Sequence, residues 1–156
     1  MSQPNDHQRP APSPQPPTLH TGIDLIEIER IERAIGRWGE RFLRRVFTPA
    51  ELAAYRGRLP SLAARWAGKE ATAKLLGVGL RGLGGAGRRP SADAVGWTEI
   101  EILSDASGRP TVTLSGQAAQ RARAMGLGCL SLSLSHTRLH AIASAAALGA
   151  EGFTPV

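Results

Sequence analysis

Glu70 and Lys74 stand four residues apart in the stretch Ser61–Gly79, with Arg65, Trp66 and Lys69 beside them. The stretch reads as one helix: Ser61 follows Pro60 and suits the first turn's cap, Ala and Leu fill the middle, and Gly77 stands where a helix normally stops. Trp66, Glu70 and Lys74 then share one face. Lys69 and Lys74 are the only two lysines, against 17 arginines. An ammonium is a compact point charge that suits one phosphate or one carboxylate. The plain alternative is an exposed Glu–Lys helix pair, contributing about 0.2–0.5 kcal/mol. Partners elsewhere in the chain shift the weight. Asp24 lies in an apolar run, where a lone carboxylate is costly; it must be paired, hydrogen-bonded or metal-bound, or else cap the next helix. His136 closes a run of alternating Leu and Ser. Two carboxylates with few other ligands suit Mg²⁺, which keeps several waters and takes phosphate oxygens. A lysine would then neutralise phosphate charge, and the backbone at Gly77 and Gly79 could approach phosphates closely. One cysteine and four scattered histidines make no zinc pattern, and nothing specifies the serine of a Ser-His-Asp triad.

These residues need a scaffold, and 156 residues with 42% hydrophobic and 21% charged content suffice for one core. The chain is read as a proline-rich, disordered tail over 1–17, one domain over 18–149 and a frayed end over 150–156. No apolar run approaches the roughly 20 residues of a membrane span. The N-terminus lacks the apolar region of a secretory signal, and the single Cys129, read as buried in a strand, excludes an internal disulfide. A cytoplasmic protein is expected, without membrane association. The net charge of +6 and a pI near 10.9 predict an acidic partner. Aromatic residues are only 4% of the chain, and a single-strand nucleic-acid binder wants several stacking platforms, so the composition leans mildly away from that class.

The elements follow from pattern. A strand is expected over 19–25 and a helix over 27–36 with Ile28, Ile31 and Ile35 as its stripe. Eight arginines lie between 30 and 58, and so one-signed a face reads as a docking surface for an acidic partner. Thr48 to Glu51 form a capping box with Pro49 at the first helical position, starting a short helix to about 56. The loop over 81–95 is rich in Gly and Arg but carries no phosphate-loop motif. A strand over 97–103 returns through a turn at 105–110 into 111–114. Ser115 caps a helix over 116–125, closed by Gly126. Two antiparallel strands, 129–136 and 141–148, finish the chain. The sum is an α+β fold with a mainly antiparallel sheet against the long central helix.

The motifs in order resemble those of the holo-acyl-carrier-protein synthases. Gly22, Asp24, Arg30 and Ile31 match a Gly-x-Asp-x-x-x-x-x-Arg-Ile opening. Arg41, Phe42, Thr48 and Glu51 match an Arg-Phe…Thr-x-x-Glu segment. Arg65 through Lys74 resemble an Arg-Phe-Ala-Ala-Lys-Glu-Ala-x-x-Lys signature, with Trp66 where Phe is usual and Gly68 where Ala is usual. Gly77 and Gly79 follow, and Ser133, Ser135, His136 and Thr137 match a Ser-x-Ser/Thr-His segment. The resemblance implies the 4′-phosphopantetheinyl transferase fold. It implies transfer of 4′-phosphopantetheine from coenzyme A to a serine of apo-acyl carrier protein, in fatty acid biosynthesis, releasing adenosine 3′,5′-bisphosphate. By position it implies Asp24 and Glu70 as Mg²⁺ ligands and Lys74, Arg65 and Lys69 on coenzyme A phosphates. Gly77 and Gly79 would lie along the co-substrate, and His136 at the pyrophosphate or adenosine bisphosphate end. Arg30, Arg37, Arg41 and Arg44 would dock the acidic carrier protein. A homotrimer with sites between subunits is implied too. The serine proton would go to Glu70, to a metal-activated water held by Glu70, which is preferred, or to His136. Two rivals explain parts of this: a basic nucleic-acid-binding module, which leaves Asp24 and Glu70 without purpose, and a Mg²⁺ phosphohydrolase or nucleotidyl transferase acting without a carrier protein.

Overall fold

Ala and Leu dominate the central helix, and the chain wraps round it. The computed structural model describes residues 16–80 and 94–149. Outside them lie nearly all of the stretch 1–17, most of the loop 81–95 and the end 150–156. The order is β1 (Thr18–Glu27), α1 (Ile28–Val46), α2 (Pro49–Tyr55), α3 (Leu59–Leu75), a 3₁₀ turn (Trp97–Glu99), β2 (Ile100–Ser104), β3 (Pro110–Leu114), α4 (Gly116–Ala124), β4 (Leu127–His136) and β5 (His140–Gly149). A three-stranded sheet runs β1-β5-β4 and a two-stranded one β2-β3, both antiparallel, and an isolated parallel bridge joins Leu80 to Val95. This is the expected α+β class.

The inner face of the larger sheet is built from small residues so that α3 can lie close. Ala141, Ala143, Ala145 and Ala147 of β5 are buried. A Cβ at Gly22 of β1 would lie 2.0 Å from the Ala71 carbonyl oxygen of α3, so only glycine permits this approach. Core residues Leu62, Ala63, Ala67, Ala71 and Leu75 lie along α3, with Ile31, Phe42 and Phe47 against it from the N-terminal helices.

Several boundaries differ from expectation. α3 begins at Leu59, with Arg58 at the cap and Pro60 in the first turn, so Ser61 is not the cap. α1 continues past 36 to Val46 through a kink at Gly39 (φ 51°, ψ −132°). Trp97 and Glu99 lie in a 3₁₀ turn, not in a strand. Ser115 precedes α4 but makes no side-chain cap bond. Cys129 is exposed, not buried; in β4 the inward positions are Leu130, Leu132 and Leu134, and the opposite parity faces out. The capping box of α2 is complete: the Glu51 N–H donates to Thr48 Oγ1 at 3.2 Å and the Thr48 N–H donates to Glu51 Oε2 at 2.7 Å. Among the described residues no helix is long and apolar enough to cross a membrane.

Candidate active site

Sheet parity and helix spacing bring Asp24 and Lys74 together. Asp24 faces α3 because it shares its strand face with Gly22 and buried Ile26, and α3 presents Lys74 one turn beyond Glu70. Lys74 Nζ donates to Asp24 Oδ1 at 2.8 Å and to the Ile23 carbonyl at 2.9 Å. The Lys74 side chain is 52% exposed and that of Asp24 16%. Asp24 is thus an ion-pair partner, not a helix cap. Glu70 completes the group. Burial pushes its carboxyl above the usual carboxylate range, the charge of Asp24 pushes it further, and Lys74 and Arg30 pull it back. Two carboxylates crowd one partly desolvated place, which hard divalent cations favour. Among the described residues there is no cluster of three or more His, Cys, Asp or Glu side chains, so a cation here would take two protein carboxylates and fill its remaining positions from water or substrate. The donor set therefore fits Mg²⁺.

Arg65 and His136 meet elsewhere. They line a cavity of about 290 Å³ with Tyr55, Arg58, Ser61 and Ser104. Arg65 is 7% exposed, and its Nε has no hydrogen-bond partner among the described residues. Arg65 and Glu70 are five positions apart, which turns them roughly 140° apart around the helix. The two groups therefore lie on different sides of α3.

Lys69 corrects an expectation. Its side chain is wholly buried beside Glu51, with Nζ and Glu51 Oε2 2.8 Å apart. It also donates to the carbonyls of Trp97, at 3.0 Å, and Ile100. All three N–H groups are used inside the protein, so Lys69 is not available to coenzyme A from this position. Glu51 is equally satisfied, accepting from the Ile102 N–H at 2.9 Å as well as from Thr48 and Lys69.

Gly77 has φ 68° and ends α3 in the left-handed conformation. The Gly79 carbonyl accepts from the Val95 N–H at 2.9 Å, which ties the turn to the start of the next described segment. Arg121 of α4 donates from Nε to the Leu76 carbonyl at 3.0 Å.

The four arginines expected to dock a partner do not form one uniform patch. Arg30 and Arg37 line a groove of about 430 Å³ with Arg33, Ala34, Trp38 and Trp66. Trp38, 49% exposed, was not singled out from sequence, although a Trp among arginines was the available signal; the Arg37 guanidinium lies 5.1 Å from its ring centre. From Trp38 the rings continue inward through Phe42 and Trp66 to Trp97 at centroid spacings of 6.4, 5.6 and 4.1 Å. Arg41 is exposed. Arg44 pairs with Glu40 at 3.3 Å and lines a different concavity with Pro49, Leu52 and Arg56.

Residues 20–131 match the sequence model of the 4′-phosphopantetheinyl transferase superfamily. A holo-[acyl-carrier-protein] synthase of Roseiflexus castenholzii is 55% identical over 74% of this chain and 80% of its own. That of Herpetosiphon aurantiacus is 52% identical over 84% of this chain and 99% of its own. Among solved structures, the holo-[acyl-carrier-protein] synthase of Neisseria meningitidis superposes with a TM-score of 0.69 at 31% identity, covering 82% of this chain and 96% of that one. That of Helicobacter pylori, solved in complex with coenzyme A, gives 0.66 at 28% identity, covering 81% and 98%. With the motifs, the fold and these relatives in agreement, the chain belongs to the holo-acyl-carrier-protein synthases of the 4′-phosphopantetheinyl transferase superfamily.

Proposed function

We propose that Asp24, Glu70 and Lys74 act on the pyrophosphate of coenzyme A while Arg65 and His136 hold another part of the same molecule. The reaction moves 4′-phosphopantetheine to a serine of apo-acyl carrier protein and leaves adenosine 3′,5′-bisphosphate. The observation that carries the residue assignment is the pairing of Asp24 with a Glu70 whose carboxyl is destabilised by burial and by its neighbour.

Asp24 and Glu70 would hold Mg²⁺, which supplies neutralisation of pyrophosphate charge as the leaving group departs. Lys74 adds a positive charge that its long side chain can swing from Asp24 onto a phosphate oxygen. Gly77 and Gly79 allow the backbone to lie near the co-substrate. Phosphoryl-type transfer asks mainly for such positioning and charge neutralisation. For the serine proton, a water held by the Glu70 carboxylate would be the acceptor.

The groove of Arg30, Arg33 and Arg37 around Trp38 suits an acidic carrier protein that also offers an apolar side chain. Arg44 is assigned a lesser part, since Glu40 already takes its charge.

A homotrimer would join the two groups, with Asp24, Glu70 and Lys74 of one subunit facing Arg65 and His136 of the next. Its support is the bare outer face of the larger sheet, where Leu19, Ile23, Leu25 and Leu148 are each more than half exposed. A contiguous apolar sheet face of this kind marks an interface. Free, exposed Cys129 suits a reducing compartment, consistent with a cytoplasmic enzyme.

The test mixes the protein with coenzyme A, Mg²⁺ and an apo-acyl carrier protein and weighs the carrier by intact-mass spectrometry. A gain of one phosphopantetheine, lost with EDTA, is expected. Unchanged transfer after EDTA would remove the metal assignment, and no transfer to any carrier while coenzyme A binds would remove the acceptor.

A further inference from the structure

Arg65 is held by two residues that no motif contains. Its guanidinium carbon lies 3.7 Å from the centre of the Tyr55 ring. Its Nη2 donates to Ser104 Oγ at 2.9 Å, and the Tyr55 hydroxyl donates to the same Oγ at 3.2 Å. Nη1 reaches the Ser61 carbonyl at a marginal 3.5 Å. Tyr55 ends α2, Ser104 ends β2 and Arg65 sits in α3, so three elements converge on one guanidinium. All three residues line the cavity that His136 also borders.

Two features mark this as more than packing. Among the described residues no carboxylate pairs with Arg65, although the residue is 7% exposed. Among the described residues its Nε also lacks an acceptor, and a buried N–H left so costs about 1–3 kcal/mol. Tyr55 and Ser104 supply an aromatic face and a neutral oxygen, which fix a guanidinium without cancelling its charge. A carboxylate in either place would fix it equally well and cancel it.

We propose that Tyr55 and Ser104 are positioning residues for coenzyme A: they hold Arg65 in one orientation with its charge uncompensated, so that a phosphate of the co-substrate completes its hydrogen bonds. This rests on the reading that Arg65 contacts such a phosphate. The ring backs the guanidinium, the serine oxygen anchors its Nη2, and the tyrosine hydroxyl holds the serine.

The test compares KM for coenzyme A, KM for carrier protein and kcat in Arg65→Ala, Ser104→Ala, Ser104→Thr, Tyr55→Leu and Tyr55→Phe, with the Arg65→Ala/Ser104→Ala double variant closing a cycle. Exposed Ser104 can be altered without opening the core. Ser104→Ala is expected to raise the coenzyme A KM roughly fivefold, the value of one modest hydrogen bond. Tyr55→Leu is expected to raise it roughly tenfold, Tyr55→Phe less, and Ser104→Thr to restore it. In the Ser104 and Tyr55 variants, carrier-protein KM and kcat stay near wild type. In the double variant the serine change adds nothing to Arg65→Ala, because the serine acts through the arginine. A merely structural role would lower the melting temperature and the active fraction without moving the coenzyme A KM. If Arg65→Ala raises that KM while Ser104→Ala and Tyr55→Phe both leave it at wild type, the positioning proposal is overturned. If Arg65→Ala itself leaves it unchanged, the contact of Arg65 with coenzyme A fails first.

Discussion

The two lysines of α3 sit five residues apart and do opposite things. Lys69 is sealed in the core, where Glu51 and two main-chain carbonyls take all three of its N–H groups. Lys74 lies half in solvent, held by Asp24 and one carbonyl, with a second carboxylate alongside. The inner pair is saturated: Glu51 bonds the start of α2 and the main chain of β2 as well as Lys69, tying three elements together. The outer group is frustrated, with two acids sharing one lysine. A saturated buried pair can give the fold geometry but has nothing left for a ligand. A frustrated, partly exposed one is unstable until a ligand supplies what is missing.

Breaking each pair should therefore give opposite phenotypes. Lys69→Met leaves the Glu51 carboxylate buried without its cation, and loss of one partner of such a pair typically costs about 3–5 kcal/mol. Urea denaturation should show that loss, and the fraction that remains folded should keep a near-normal KM for coenzyme A. Lys74→Ala removes a pair of the exposed type, contributing about 0–1 kcal/mol. It should leave the denaturation midpoint almost unmoved while transfer falls roughly a hundredfold. Loss of coenzyme A affinity in folded Lys69→Met, or a large stability loss in Lys74→Ala, would reverse the assignments.

Glu70→Gln sharpens the contrast, since it should abolish transfer and stabilise the protein. The folded pKa of Glu70 lies above its unfolded value, because burial and Asp24 disfavour the charged form. Its ionised state is therefore a destabilising load at neutral pH, relieved as pH falls through the folded pKa. The variant's melting temperature should exceed that of the wild type at neutral pH, and the difference should close in acid. Mg²⁺ affinity of the wild type, measured by titration, should weaken over that same range as Glu70 takes up a proton. Equal melting temperatures at every pH would show that Glu70 carries no such load.

A fourth variant probes the groove. Arg30→Glu places a repulsive charge where an acidic partner would dock and should raise the carrier-protein KM roughly tenfold. Arg44→Glu, in a different concavity and already paired with Glu40, should do less. Equal effects would make the docking surface broader than the groove.

Sequence made the outer group legible because each of its signals is local: spacing of four on a helix, and a carboxylate stranded in an apolar strand. The inner pair was not legible. Glu51 reads as a capping-box residue, and it is one, but one carboxylate also serves a lysine 18 residues later and a strand 51 residues later. Lys69 sits beside Glu70 in the motif, yet one step along a helix turns a side chain about 100°, here from the site into the core. Tyr55 and Ser104 were invisible for a similar reason: neither belongs to a pattern, and only the fold brings them to Arg65. Alternation over 97–103 suggested a strand from its first residue, but a pattern that short cannot distinguish a strand from the 3₁₀ turn that packs Trp97 on Trp66.

The smallest expected effect concerns Gly68, next to Lys69 on the buried side of α3. Helix propensity alone says that alanine there should stabilise by about 1 kcal/mol. The surroundings oppose this, because a Cβ at Gly68 would lie 2.7 Å from Ile102 Cδ1 and 3.2 Å from Leu134 Cδ2. Ile102 is completely buried, so its methyl has little space into which to withdraw, and overpacking of this kind costs about 1–3 kcal/mol. The clash should match or exceed the propensity gain, leaving Gly68→Ala neutral to destabilising by up to about 2 kcal/mol. Ile102→Val removes the offending methyl and alone costs about 0.5–1.5 kcal/mol. Combined, the two changes should be less harmful than their sum, because the new methyl fills the space the old one leaves. Denaturation midpoints for the two single variants and the double close the cycle. Strict additivity would mean that α3 shifts as a body to accept alanine, and the close packing of α3 on β2 that holds Lys69 against the Ile100 carbonyl would be looser than the geometry implies.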